Sequence, residues 1–191
     1  ILCIGGCGDR QCYSDVFLLK VQNGSVEIDK NWPSLPVPLA NMTSSLLDNK
    51  IFVAGGQESV DAPIASKHFF MLDLSDVKAG WKCLPAWPGA PRGYAVSAVQ
   101  NDGFDKCFYL FSGRNYQNEN IDVLTDGYAY NPRLSTWKKL EGRFPVMAGA
   151  AVASGANHII FLGSVQKMID GSDTHPGFDN KLRIYHTITS T

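Results

Sequence analysis

Four short apolar runs punctuate the chain, and each ends in small residues. They read Ile1-Leu2-Cys3-Ile4-Gly5-Gly6, Ile51-Phe52-Val53-Ala54-Gly55-Gly56, Phe108-Tyr109-Leu110-Phe111-Ser112-Gly113 and Ile159-Ile160-Phe161-Leu162-Gly163-Ser164. Continuous apolar runs of this length, bounded by turn residues, read as strands. Gly6, Gly56, Gly113 and Gly163 are separated by 50, 57 and 50 residues. The last three runs are each preceded by a second strand-like run of smaller residues, at 41–47, 94–99 and 149–153. Asp48-Asn49-Lys50, Asn101-Asp102-Gly103 and Ser154-Gly155-Ala156-Asn157 stand between the two runs, which predicts three hairpins. A polar loop follows each glycine position, and then a third strand is predicted at 15–21, 68–74, 127–130 and 182–185. A fourth strand carries a tryptophan at 81–84 and at 137–140, and Trp32 marks the corresponding place in the first unit. No stretch has the 3.6-residue period of an amphipathic helix.

Four strands repeating about every 50 residues predict an all-β fold, a β-propeller, and the spacing suits kelch blades better than the shorter WD40 blades. The chain then holds about four blades, approximately 1–36, 37–90, 91–144 and 145–191, with both terminal blades incomplete. The first is expected to lack its innermost strand. The last is expected to lack its fourth, with an aromatic, Trp above all, at the position after Thr191. Two such strands cannot complete one blade, so the chain is expected to be a fragment of a larger propeller.

Composition narrows the function. Lys and Arg number 17 against 18 Asp and Glu, a net charge of −1. That balance leaves no basic footprint for nucleic acid. No apolar run approaches the roughly 20 residues of a membrane-spanning helix. The five cysteines, Cys3, Cys7, Cys12, Cys83 and Cys107, include no C-x-x-C pair, and the cluster at 3–12 lacks histidines at ligand spacing. No metal site is expected, and Cys3 and Cys107 read as small buried hydrophobes.

Longer motifs carry a family resemblance. They include Pro36-Val37-Pro38-Leu39-Ala40-Asn41-Met42, Val53-Ala54-Gly55-Gly56-Gln57-Glu58-Ser59, Leu84-Pro85-Ala86-Trp87-Pro88-Gly89 and Phe111-Ser112-Gly113-Arg114-Asn115-Tyr116. Phe144-Pro145-Val146-Met147-Ala148-Gly149, His175-Pro176-Gly177-Phe178 and Tyr185-His186-Thr187-Ile188-Thr189 continue the series. In these stretches the chain resembles the kelch-type N-acetylneuraminate epimerases (sialic-acid mutarotases), most closely their cyclically permuted subfamily. The resemblance implies a six-bladed propeller and interconversion of the α and β anomers of N-acetylneuraminate or a related sugar acid. It further implies no cofactor and a periplasmic location. One departure is Gly163-Ser164, where a Gly-Gly is usual. The resemblance also implies a catalytic glutamate and arginine in a Gly-Glu…Arg-Thr context. No such stretch occurs here, so the catalytic residues are expected downstream of Thr191 and the isolated fragment is expected to be inactive.

Strand geometry locates the binding rim. The start of an innermost strand lies beside the end of its antiparallel neighbour. That puts Arg92 near Arg114 and Asn115, Asn41 and Met42 near Gln57 and Glu58, and Met147 near Gln166 and Lys167. Opening a sugar-acid ring needs proton transfer at the anomeric hydroxyl and ring oxygen. The substrate carboxylate suits a planar arginine fork. Arg92 and Arg114 are therefore candidates for a carboxylate clamp, with Asn115 and Gln57 for hydroxyl or N-acetyl groups. Glu58 is a candidate acid or base, and His175 a group titrating near neutrality. Each has a plainer reading: an ion pair or a snorkelling surface arginine for Arg92, a turn residue for Asn115, a solvated carboxylate for Glu58 and a loop-ordering role for His175. Lys167, Met168 and Asp170 are expected to border the pocket. The partner is a small-molecule sugar acid, with neither nucleic acid nor membrane insertion expected. Unfinished blades favour self-association through exposed strand edges. A non-catalytic kelch module reading an acidic peptide on the same rim is the alternative. A copper radical oxidase is a third reading, for which no clear Tyr/His/Cys ligand set is present.

Overall fold

A computed structural model describes residues 1–60, 64–117, 120–165 and 178–191. They form four antiparallel sheets, in each of which strand order follows chain order. The first sheet holds β1 (Leu2–Ile4), β2 (Val16–Gln22) and β3 (Ser25–Asp29). The second holds β4 (Thr43–Leu47), β5 (Lys50–Ala54), β6 (Phe69–Asp73) and β7 (Lys82–Cys83). The third holds β8 (Val96–Asn101), β9 (Lys106–Gln117), β10 (Asn120–Asn131) and β11 (Thr136–Lys139). The fourth holds β12 (Ala150–Ser154), β13 (His158–Leu162) and β14 (Arg183–His186). Among the described residues the sole helical element is a 3₁₀ turn at Val77–Ala79. The architecture is that of a kelch-type β-propeller.

The apolar runs lose their two-residue alternation because each blade is packed on both faces. In β5, Phe52 and Ala54 enter the core shared with the third blade, while Ile51 and Val53 enter the core shared with the first. In β9, Phe108 and Leu110 face the second blade, while Tyr109 and Phe111 face the fourth. Fully burying each such side chain contributes about 1.5–3 kcal/mol. The innermost strands need small residues for a different reason. The hydroxyl of Ser97 on β8 meets those of Thr43 at 2.7 Å and Ser45 at 2.8 Å on β4, so hydroxyls join adjacent blades near the axis.

The tryptophans tie blades together at their outer edges. Trp81 Nε1 donates to the Pro33 carbonyl and Trp137 Nε1 to the Pro85 carbonyl, each at 2.8 Å. Each indole thus reaches from its own blade to the loop that leaves the preceding one.

Two elements depart from the sequence reading. The outermost strand of the three-stranded first sheet is β3, not a strand at Trp32. Asn23 and Gly24 both take positive φ, 51° and 78°, and turn the chain back within two residues. Trp32 lies beyond that strand and packs into the first inter-blade core. In the third blade, the glycine position does not end the second strand. β9 runs on through Gly113 to Gln117 and pairs with β10 from Asn120, forming a long hairpin at the rim. A register shift between Leu124 and Gly127 absorbs the extra length.

Candidate functional site

The rim is built from one repeated backbone device. Just before the innermost strands, Asn41, Tyr94 and Ala148 all hold positive φ, at 55°, 56° and 53°. Tyr94 N–H donates to the Asn41 carbonyl at 2.8 Å, and Ala148 N–H to the Tyr94 carbonyl at 2.9 Å. Three successive blades are thereby linked in a chain of backbone hydrogen bonds. Beside it, short bridges pair Ala40 with Gln57, Gly93 with Arg114 and Met147 with Val165. The residue after each glycine position is thus displayed next to this chain.

Those bridges bring together part of the expected set. Asn41 Nδ2 donates to Gln57 Oε1 at 2.9 Å. A methyl group built on Gly93 would lie 3.5 Å from Gln57 Cγ, so Gln57 and Arg114 flank the same glycine. The Arg114 guanidinium sits 4.2 Å from the centroid of the Tyr94 ring, a cation–π contact that holds the side chain half-buried at the rim. Asn115 is buried, and its Oδ1 accepts from the Ala65 N–H at 3.2 Å, so it ties the third blade to a loop of the second. Glu58 is exposed and pairs with His68 Nε2 at 3.0 Å, while the His68 ring stacks on Phe70. His175, together with Gln166, Lys167, Met168 and Asp170, lies outside the described residues.

Arg92 requires a correction. It does not share the rim surface with Arg114, because its side chain is 0% exposed. Its Nη1 donates to the Ser112 carbonyl at 2.9 Å and its Nη2 to Asp126 Oδ2 at 3.1 Å. The rings of Trp87 and Tyr128 lie 5.4 and 5.3 Å from the guanidinium carbon. Tyr128 Oη donates to Asp126 Oδ2 at 2.6 Å. Burial pushes the Asp126 carboxyl upward, but the hydrogen bond and charge of Arg92 outweigh it and leave the group below the usual carboxylate value. Burial, reinforced by Asp126, raises the Tyr128 phenol to about 12, so it remains a donor. The plainer reading of Arg92, a structural ion pair, is the one the geometry adopts.

The sequence contains a signal for this. Pro38-Leu39-Ala40-Asn41, Pro91-Arg92-Gly93-Tyr94 and Pro145-Val146-Met147-Ala148 occupy equivalent places, so Arg92 stands where the other blades have buried Leu39 and Val146. Its backbone does what theirs does: the Arg92 carbonyl accepts from Gly56 N–H as the Leu39 carbonyl accepts from Gly6 N–H. Sequence reasoning also passed over Tyr94, the platform for Arg114, and Asp126, which lies within the bulge of β10 where a polar loop was expected.

Among the described residues no group of three or more His, Cys, Asp or Glu side chains is placed to hold a metal ion. What the rim offers is a cationic fork on an aromatic platform beside two carboxamides, an arrangement able to bind an anionic, hydroxyl-bearing molecule.

The fold and rim define a kelch-type propeller with a polar, arginine-bearing axial face. The family model described as N-acetylneuraminate epimerase matches residues 32–173. The chain belongs to the N-acetylneuraminate epimerase family. It is similar to an N-acetylneuraminate epimerase of Haemophilus influenzae (strain PittEE), 33% identical over 131 residues, covering 68% of this chain and 31% of that protein. It is also similar to a Kelch domain-containing protein of Vibrio cholerae, 31% identical over 139 residues, covering 71% of this chain and 36% of that one. The solved structure of YjhT aligns with a TM-score of 0.55 at 23% identity, over 70% of this chain and 36% of the other, and bears on the fold alone. The chain spans about a third of the length of the relatives it matches.

Proposed function

We propose that the protein carrying this chain interconverts the α and β anomers of N-acetylneuraminate or a closely related sugar acid. Family membership across residues 32–173 is the observation that carries the reading. The rim is compatible with it. Arg114 is the group proposed to hold the substrate carboxylate, with Gln57 and Asn41 toward hydroxyl or N-acetyl groups. Asn115 and Arg92 act behind the surface, one holding a neighbouring loop and the other bracing the segment that carries Gly93 and Tyr94. Glu58 and His175 remain proposed rim residues, and the acid–base pair is proposed to lie outside this chain. Completion as a six-bladed propeller and a periplasmic site of action belong to the same proposal.

The test follows freshly released α-N-acetylneuraminate by proton NMR in the presence of the protein that carries this chain. Conversion to the β anomer faster than in the protein-free control is the expected result. A rate equal to that control overturns the proposal. Arg114→Ala is expected to weaken sialic-acid binding by about tenfold or more, as loss of a charge-assisted contact requires. Unchanged affinity removes Arg114 from the site.

A further inference from the structure

We infer that Cys7 and Cys12 are a disulfide-forming pair that closes the rim loop between them. Cys7 follows Gly5-Gly6 as Gln57 follows Gly55-Gly56 and Arg114 follows Ser112-Gly113, so it occupies the rim position of the first blade. It pairs with Cys12 in an antiparallel bridge. The flanking hydrogen bonds define the register. Gly8 N–H donates to the Gln11 carbonyl at 2.9 Å, and Tyr13 N–H to the Gly6 carbonyl at 2.8 Å. Cys7 and Cys12 are therefore the non-hydrogen-bonded pair between those two bonds. At such a position the Cα atoms approach to about 4.5 Å and both side chains leave the same face. A disulfide spans Cα separations of about 4.4–6.8 Å, so the bond closes without moving the backbone far.

No other cysteine has this arrangement. The strand partners of Cys3, Cys83 and Cys107 are Phe17, Phe70 and Gln100. All five are free thiols in this structure. Cys7 is exposed and Cys12 is buried, which assigns their order of reaction. Burial, and then the neighbouring Cys7, hold the Cys12 thiol above its ordinary pKa, so Cys7 is the first nucleophile. With a small-molecule disulfide as oxidant, the Cys7 thiolate attacks one sulfur and expels the first small thiol. Cys12 then gives up its proton and attacks the Cys7 sulfur, releasing the second small thiol. Two protein S–H bonds become one S–S bond, and the oxidant's S–S bond becomes two S–H bonds. The linkage fixes the loop that presents Asp9 and Arg10 at the rim.

The protein is equilibrated in buffers of oxidised and reduced glutathione, quenched with an alkylating reagent and digested with trypsin. Cleavage after Arg10 separates Cys7 from Cys12, so only a disulfide holds the peptide that ends at Arg10 to residues 11–20. The expected product under oxidising conditions is this linked pair, lighter by two hydrogens, with Cys83 in no disulfide within the protein. It persists in Cys3→Ser and is absent in Cys7→Ser and Cys12→Ser. In urea the preference for the pair over mixed glutathione adducts is expected to fall by about tenfold or more, since the hairpin supplies the proximity. A glutathione adduct on Cys7 with Cys12 still alkylated, a link from Cys3 to Cys12, or an equal yield in urea would each overturn the inference.

Discussion

Replacing Arg92 by leucine is expected to cost the fold about 3 kcal/mol, near the low end of the range for breaking a buried ion pair. The guanidinium is wholly buried and serves the Ser112 carbonyl, Asp126 and two aromatic rings at once. Its removal leaves the Asp126 charge without a counter-ion. The lower end applies because the Asp126 side chain is 26% exposed, so water takes over part of its solvation. At roughly 2–4 °C per kcal/mol for a chain of this size, the melting temperature should fall by about 6–12 °C. The assay is urea unfolding of a four-member cycle: parent, Arg92→Leu, Asp126→Asn and the double variant. Leucine is chosen because Leu39 occupies the equivalent place. The double variant should recover more than about 1 kcal/mol of the summed single losses, since neither charge is left unpaired. The pH dependence has a definite sign. In the parent, the Asp126 pKa is lowered in the folded state, so its stabilisation is present above the unfolded carboxylate value and is lost as pH falls through the folded one. In Arg92→Leu, burial is opposed by the Tyr128 hydrogen bond but no longer by Arg92, so the carboxyl is held less firmly in its charged form and loses less stability on taking up a proton as pH falls. The gap between the two proteins should therefore narrow on acidification. A loss below about 1 kcal/mol at neutral pH, or a gap constant through the carboxylate range, would refute the reasoning.

Gly55→Ala and Trp137→Phe probe the blade junctions, and Gly24→Ala, in the turn between β2 and β3, serves as the uncrowded control. Gly55→Ala should cost about 2–3 kcal/mol, because φ is 68° and the added methyl would stand 2.1 Å from the Arg92 carbonyl oxygen. Gly24→Ala, at φ 78° with no atom within 4 Å, should cost only about 1 kcal/mol; equal shifts in urea midpoint would dismiss the crowding. Trp137→Phe keeps an aromatic ring against Phe69 and Tyr130 but removes the indole hydrogen bond to the Pro85 carbonyl, for an expected loss of about 1 kcal/mol. Unchanged thermal unfolding would remove that bond as an inter-blade tie.

The strands were legible where both faces are buried, because such runs are apolar throughout and end at glycines whose positive φ other residues adopt at a cost. β3 was missed because it is a two-residue turn away from β2 and its exposed Val26 and Ile28 stand on an edge. The extension of β9 was missed because Arg114, Asn115 and Tyr116 look like a polar loop, and only pairing with residues 121–123 makes them strand. At the rim, the equivalence of segments in successive blades made Gln57 and Arg114 legible as displayed residues. Side-chain direction was not legible at Arg92, since an arginine after proline reads equally as a surface clamp or an internal brace.

The sequence by itself determined the repeat, its four-strand unit, the kelch spacing and the family. These follow from periodic burial, which is local and written in residue type. Only the tertiary structure decided which arginine faces outward. Arg92 turns inward because Asp126, brought up by a bulge 34 residues away, supplies the counter-charge that makes its burial tolerable. Arg114 stays at the rim because Tyr94, held at positive φ beside it, gives its cation a face to rest on. The pairing of Cys7 with Cys12 is of the same kind: their spacing was in the sequence, but the hydrogen bonds on either side of them set the register that turns both thiols to one face.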